Sequence, residues 1–323
     1  AQLERAARGN VPGALLLLGP AGVGKRALAD AFTARLLCQA PAADDACGMC
    51  AQCTRVAAGS HPDVRIVARD DDRRDIRIDQ VRELCRWLVL HPLMAAHKVA
   101  IIDGAHELNE HGQNALLKTL EEPPGSAVLL LTATAAALVL PTVRSRCRLV
   151  RLDPLPPAAV ERVLEARGVP AERARLLAPL AGGCPGRALA LDGEEEMQAR
   201  TLVLAHLPDL RSLTAAEVSQ LAQELARGPL DAALSATVTW YRDVLQTALV
   251  GDALPLRTPD AAVAVRAAAA RSGAGALLRQ LEGVCDTIVA LERNANRMLA
   301  LETMFLWLRD IDRGASPAAG ASP

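Results

Sequence analysis

The chain has 323 residues, 51% of them hydrophobic and 23% charged, with a formal net charge of −1. That length exceeds one ordinary core and makes two or three domains the expectation, while the near-zero charge leaves no global field to draw in nucleic acid. Only six aromatics are present (Phe32, Trp87, Trp240, Tyr241, Phe305 and Trp307), too few for a protein that stacks single-stranded bases on aromatic platforms.

From Ala14 to Cys147, short apolar runs alternate with helical stretches. The runs are Ala14–Leu18, Val64–Val67, Val99–Ile102 and Ala127–Leu131. Such short, largely apolar runs separated by helices predict buried parallel strands of an α/β sheet. None approaches the ~18–20 residues of a membrane span. The opening residues do not read as a signal peptide, and the cytoplasm is the expected compartment.

The first run leads into Gly19-Pro-Ala-Gly-Val-Gly24-Lys25-Arg26, and a helical pattern from Ala27 to Leu37 follows. This is the context of a phosphate-binding loop, whose backbone N–H groups cradle phosphates at a helix N-terminus while the lysine reaches the outer ones. Gly19, Gly22, Gly24 and Lys25 are therefore the candidate nucleotide-binding residues. The pattern next demands Ser or Thr, whose hydroxyl ligates Mg²⁺; Arg26 has no lone pair to offer a metal. ATP or ADP as ligand and Mg²⁺ as cofactor thus part company here. Two states stay open: a bound nucleotide that locks the module's shape, or a relic loop with Arg26 folded over its pocket.

After that helix come Cys38, Cys47, Cys50 and Cys53, spaced C-x8-C-x2-C-x2-C. Four thiolates so placed can close a tetrahedral structural Zn²⁺ site with no open position. An iron–sulfur centre is the alternative, and the missing C-x3-C-P continuation counts against it. Cys85, Cys147, Cys184 and Cys285 stand in separate elements and are expected to be small buried hydrophobes.

Val99-Ala-Ile-Ile-Asp103 is an apolar strand ending in a carboxylate. In P-loop ATPases an Asp at this place holds Mg²⁺, and a following Glu orients the attacking water. Gly104 occupies that second place, and His106 reads as the polar start of the next helix. With Arg26 and Gly104, two positions critical to hydrolysis are lost together, so little or no intrinsic ATP turnover is expected.

Residues 154–192 read as short helices punctuated by six prolines. Beyond Glu194 the pattern is helical throughout, with Ala215–Ala226, Asp231–Leu249, Asp260–Ala270 and Leu277–Leu308 as examples. The Ala/Gly/Ser/Pro stretch from Gly314 is expected to be disordered.

Asn114-Ala-Leu-Leu-Lys-Thr-Leu-Glu-Glu-Pro-Pro124 and Arg144-Ser145-Arg146-Cys147 resemble the NALLKTLEEPP helix and SRC motif of bacterial clamp-loader subunits. The cysteine insert and Asn294-Ala-Asn-Arg-Met-Leu-Ala-Leu-Glu302 fit the same pattern. The chain resembles the delta-prime family of the DNA polymerase III clamp loader, close to the gamma/tau subunits, over nearly its whole length. The resemblance implies an α/β P-loop AAA+ module with a parallel sheet over residues 1–152, carrying a zinc insert at 38–53. A helical lid at 153–194, an all-α collar at 195–312 and a disordered tail at 313–323 would follow.

In that family the collars join gamma/tau, delta and delta-prime into a five-subunit ring that opens the sliding clamp and places it on primed DNA. The arginine of the SRC motif reaches into a neighbour's ATP site, a role that falls on Arg146 here. A motor subunit of the gamma/tau type is the alternative, and the Arg26 and Gly104 positions speak against it. In the lid, Gly182-Gly-Cys-Pro-Gly-Arg187 places its arginine one position late for a γ-phosphate sensor, and Thr132 or Thr134 is the candidate polar sensor. A DNA-binding zinc knuckle ranks last, because its loop offers only Arg55 against Asp44 and Asp45. The run Arg69 to Arg86 is mixed in sign and reads as a solvated helix face.

Overall fold

The computed structural model describes residues 11–42, 45–70, 75–293 and 295–314. Asp44, Asn294 and the expected disordered tail beyond Gly314 lie outside the described residues. The chain forms two compact units, Ala1–Leu155 and Pro156–Pro323. The expected lid from Pro156 onward and the whole expected collar fall together in the second unit, while residues 153–155 fall in the first.

The first unit runs β1 (Ala14–Leu18), α1 (Lys25–Leu37), α2 (Ala51–Ala57), β2 (Val64–Ala68), α3 (Ile78–Leu88), β3 (Lys98–Asp103), α4 (Glu110–Ala115), α5 (Leu117–Glu121), β4 (Ala127–Ala133), α6 (Pro141–Arg144) and β5 (Arg148–Arg151). All strand pairs are parallel and the order is β2-β3-β4-β1-β5. Alternate residues leave a strand on opposite faces. Leu15, Leu17, Val99, Ile101, Val128 and Leu130 pack with Ala29 and Phe32 of α1. Leu16, Leu18, Ala100, Ile102, Leu129 and Leu131 pack with Val81 and Leu84 of α3 and with Leu116 and Leu120. Helices cover both faces, which is why β1 and the centres of β3 and β4 are apolar; β2, at the sheet edge, departs from the expected buried strand with Arg65 and Ile66 exposed.

β5 is an element that hydrophobic patterning does not reveal. It lies at the sheet edge, and Val150 alone of Arg148–Arg151 is buried. One covered face and one open edge ask for a single apolar residue, too little for a periodicity to register.

The second unit is helical: α7 (Pro157–Ala166), α8 (Ala171–Leu180), α9 (Pro185–Ala190), α10 (Glu194–His206), α11 (Ala215–Arg227), α12 (Leu230–Val250), α13 (Ala262–Arg271), α14 (Ala274–Glu292) and α15 (Arg297–Asp312). α7 and α9 open on proline, whose missing N–H lies among those a first turn leaves unpaired anyway. α11 starts with a capping box in which Thr214 Oγ1 accepts from the Glu217 N–H and Glu217 Oε2 accepts from the Thr214 N–H at 2.7 Å. The core gathers Trp240, Tyr241 and Val244 of α12 with Val284 of α14 and Leu301, Met304, Phe305 and Leu308 of α15.

The expected continuous helix Leu277–Leu308 is two helices. The chain leaves α14 after Glu292, and Asn296 restarts it by accepting from the Leu299 N–H at 3.1 Å. Apolar spacing continues across the break because both helices face the same core. Cys285, expected to be buried, is exposed, whereas Cys147 and Cys184 are buried and Cys85 is half-buried. Its neighbour Val284 takes the buried stripe of α14, and one residue onward is a 100° turn away from it. Among the described residues, no single helix is long and apolar enough to cross a membrane.

Candidate functional site

The phosphate loop links β1 to α1 at the carboxyl end of the sheet. Gly24 caps α1 with φ 106°, a left-handed turn that a side chain would resist. Gly22 lies in the same turn. Lys25 Nζ is turned onto the loop itself, donating to the Gly19 carbonyl at 2.7 Å and the Pro20 carbonyl at 2.9 Å.

Arg26, on the first turn of α1, makes a longer reach. Its Nε donates to both carboxylate oxygens of Asp30, at 3.0 and 3.1 Å, and its Nη1 donates to Asp103 Oδ2 at 3.4 Å. Burial works against the guanidinium charge, but these two carboxylates outweigh it and raise the pKa above the ordinary arginine value. Asp30 was not singled out from the sequence, although its position four residues after Arg26 is the spacing of a helical ion pair.

The other oxygen of Asp103 is also engaged. Oδ1 accepts from Thr132 Oγ1 at 2.7 Å, and Thr132 Oγ1 in turn accepts from the Gly104 N–H at 2.9 Å. Thr132 is buried near the end of β4, the strand between β3 and β1, so it bridges the two halves of the site. Thr132, of the two threonines considered, is the one that touches Asp103. Gly104 leaves β3 with φ 93°, and a Cβ there would stand 2.7 Å from Glu107 Oε2. The backbone itself therefore disfavours a catalytic glutamate at this slot. His106 lies in the following turn, where burial lowers its pKa below the ordinary imidazole value.

The four cysteines converge. Their Sγ atoms all lie within 4.8 Å of one another, with Cys38–Cys50 and Cys47–Cys53 each at 4.0 Å. A tetrahedral ion with bonds of ~2.3 Å to sulfur needs edges of about 3.8 Å, so the cluster fits a metal. Backbone N–H groups of Cys53 and Gln39 pull the Cys50 thiol down to about 6, and those of Met49 and Cys50 lower Cys47. Burial pushes Cys53 up to about 12, the charge a bound cation would have to stabilise.

A buried polar chain fastens this knuckle to the sheet. Gln52, next to Cys53 on α2, donates to the Met94 carbonyl at 3.0 Å and accepts from His61 Nε2. His61 Nδ1 accepts the Asp63 N–H at 3.0 Å, which leaves the ring proton on Nε2. Asp63 is fully buried and accepts the N–H groups of Leu93, Met94 and Ala95 at 2.7, 2.7 and 3.0 Å. The segment so pinned exposes Val89, Leu90 and Leu93.

Arg146 follows α6. Its Nε donates to Glu121 Oε1 at 2.7 Å, its Nη2 donates to the same oxygen, and its Nη1 donates to the Thr142 carbonyl at 2.8 Å. Glu121 closes α5 within the NALLKTLEEPP stretch and was assigned no role from the sequence. In the second unit, Arg187 donates to Ser235 Oγ of α12 at 3.3 Å.

A family model described as DNA polymerase III, delta subunit, matches residues 2–156. The DNA polymerase III subunit delta-prime of Pseudomonas aeruginosa is 36% identical over 298 residues, covering 91% of this chain and 90% of that protein. The delta-prime subunit of Escherichia coli is 39% identical over 189 residues, 58% of this chain and 56% of that one. A gamma/tau subunit of Mycobacterium tuberculosis is 33% identical over 190 residues, 57% of this chain and 32% of its own length.

Proposed function

Because the chain belongs to the delta-prime family of DNA polymerase III subunits, we propose that it is the non-hydrolysing member of a cytoplasmic clamp-loader ring. The observation that carries this reading is the closed contact of Arg26 with Asp103. One residue has replaced the hydroxyl that a metal would need, and its own positive charge engages the carboxylate that would hold that metal. With Gly104 offering no base, neither metal activation nor water activation is left.

In this reading Gly19, Gly22, Gly24, Lys25 and Asp103 form a relic nucleotide site held by its own contacts. The cysteine cluster holds Zn²⁺ as a structural ion, consistent with the all-thiolate donor set and edge lengths. The lid at 153–194 and the collar at 195–312 act as separate functional domains, the collar joining gamma/tau and delta partners in a five-subunit ring. The complex, and not this chain alone, engages the sliding clamp and primed DNA. Arg146 reaches the ATP site of a neighbouring motor subunit, where a guanidinium offsets charge on the transferred phosphoryl group.

The test is ATP turnover by the purified chain, alone and reconstituted with a gamma-type motor. Silence alone, with motor activity in the complex that falls on Arg146→Ala, supports the reading. Turnover by the isolated chain that Lys25→Ala abolishes would make it a motor instead.

A further inference from the structure

A guanidinium carries five N–H donors, in two groups that a carboxylate can grip. Along the side edge of Arg146, Nε and Nη2 both donate to Glu121 Oε1. Nη1 donates to the Thr142 carbonyl at 2.8 Å and to Ser145 Oγ at 3.3 Å. Thr142 belongs to α6 and Ser145 caps it, so the head group is clamped between the end of α5 and the end of α6. These four contacts leave one of the five N–H donors, on Nη2, without an acceptor, and the 3.3 Å contact of Nη1 with Ser145 Oγ is the longest of the set with a stated length. A phosphate oxygen is a stronger acceptor than a neutral hydroxyl, so Nη2 and then Nη1 are the donors open to it. The side chain is one-third exposed and Glu121 one-half exposed. A pair so open to water contributes little to folding stability, and orientation is what it can supply.

We propose that Glu121 is a positioning residue for Arg146: it holds the side edge of the guanidinium so that the remaining Nη2 N–H is kept for a phosphate presented by a neighbouring subunit. The inference rests on the reading of Arg146 as a residue acting in trans, and concerns how this chain prepares it. A free arginine would have to give up its rotamer freedom when the phosphate arrives, whereas one already clamped has done so beforehand. The carboxylate also draws on the arginine's charge. Were that the larger effect, Glu121 would restrain the arginine, and its removal would raise activity.

The experiment is steady-state ATP turnover of the complex reconstituted with gamma-type motor subunits, comparing wild type, Glu121→Ala, Glu121→Gln, Arg146→Ala and the Glu121→Ala/Arg146→Ala double variant. Melting temperature and ring assembly are checked for each. Glu121→Ala is expected to lower kcat about three- to tenfold with KM for ATP nearly unchanged, as a misplaced group does. Glu121→Gln, which keeps one acceptor oxygen and serves also if the alanine variant does not fold, should lose less. In the Arg146→Ala background, removing Glu121 should change nothing further. An unchanged or raised rate for Glu121→Ala, or an equal loss in both backgrounds, overturns the proposal. If Arg146→Ala itself leaves turnover intact, the trans reading falls first and takes this inference with it.

Discussion

Arg26, at the position where a phosphate loop carries its metal-binding hydroxyl, donates to Asp103, the strand-end carboxylate that would hold the same metal, across 3.4 Å. The cation that a motor would borrow from solution is here covalently part of α1. Both side chains are about one-third exposed, so the contact contributes at most ~1 kcal/mol to stability. Its consequence is chemical, since it places fixed charge at the metal position.

Arg26→Thr is therefore expected to restore magnesium-dependent nucleotide binding without restoring turnover. Calorimetric titration with ATP, with and without Mg²⁺, should show at least a tenfold gain, about 1.4 kcal/mol. Phosphate release should stay at background because Gly104 supplies no base. Rapid hydrolysis by this single variant would show that the second lost position is unimportant.

Adding a side chain at Gly104 should destabilise the first unit whatever its chemistry. The left-handed φ of 93° opposes a Cβ by roughly 1–2 kcal/mol, and the carboxylate of Glu107 stands in its path. Gly104→Glu should thus melt at lower temperature than wild type and still fail to hydrolyse ATP. A stable, active Gly104→Glu variant would contradict the geometry.

Metal removal should loosen α2 and spare the sheet. Elemental analysis is expected to find one zinc per chain. Chelation should then raise amide exchange in Ala51–Ala57, which the cysteine cluster anchors, and leave β1, β3 and β4 protected. The amides of Leu93, Met94 and Ala95 should keep their protection, because Asp63 and not the metal holds them. Exchange that rose throughout the first unit would mean that the metal supports the whole module.

Asp63 predicts a pH dependence with a defined sign. Burial alone would raise its pKa, but the N–H groups of Leu93, Met94 and Ala95 outweigh that and hold it below the ordinary aspartate value. A carboxylate depressed on folding contributes stability that is fully present above its unfolded pKa of about 3.9 and lost as pH falls through the lower, folded value. Asp63→Asn should cost about 1–3 kcal/mol near neutrality, since an amide offers weaker acceptance and unwanted donors, and should flatten the acid limb of the stability curve. Urea unfolding at pH 7 and in the acid range measures both. An acid limb as steep as that of wild type would assign it to other carboxylates.

The sequence by itself determined the elements whose causes are local. β1, β3 and β4 were legible because both their faces are covered and their central residues must be apolar, and β2, an edge strand with exposed Arg65 and Ile66, from its remaining valines. The phosphate loop and the cysteine cluster were legible because their chemistry is written within eight and sixteen consecutive residues. The helices of the second unit were legible from spacing, but not the break before Asn296, since apolar spacing reports a shared core and not continuity of backbone. What tertiary structure alone decided are the pairings of distant residues. Arg26 and Asp103 lie 77 positions apart, Thr132 a further 29 along, and Glu121 and Arg146 are separated by 25. Sequence supplied the charges, but hydrogen bonds act over about 3 Å, and only the strand order that brings β3, β4 and β1 side by side sets which charge meets which.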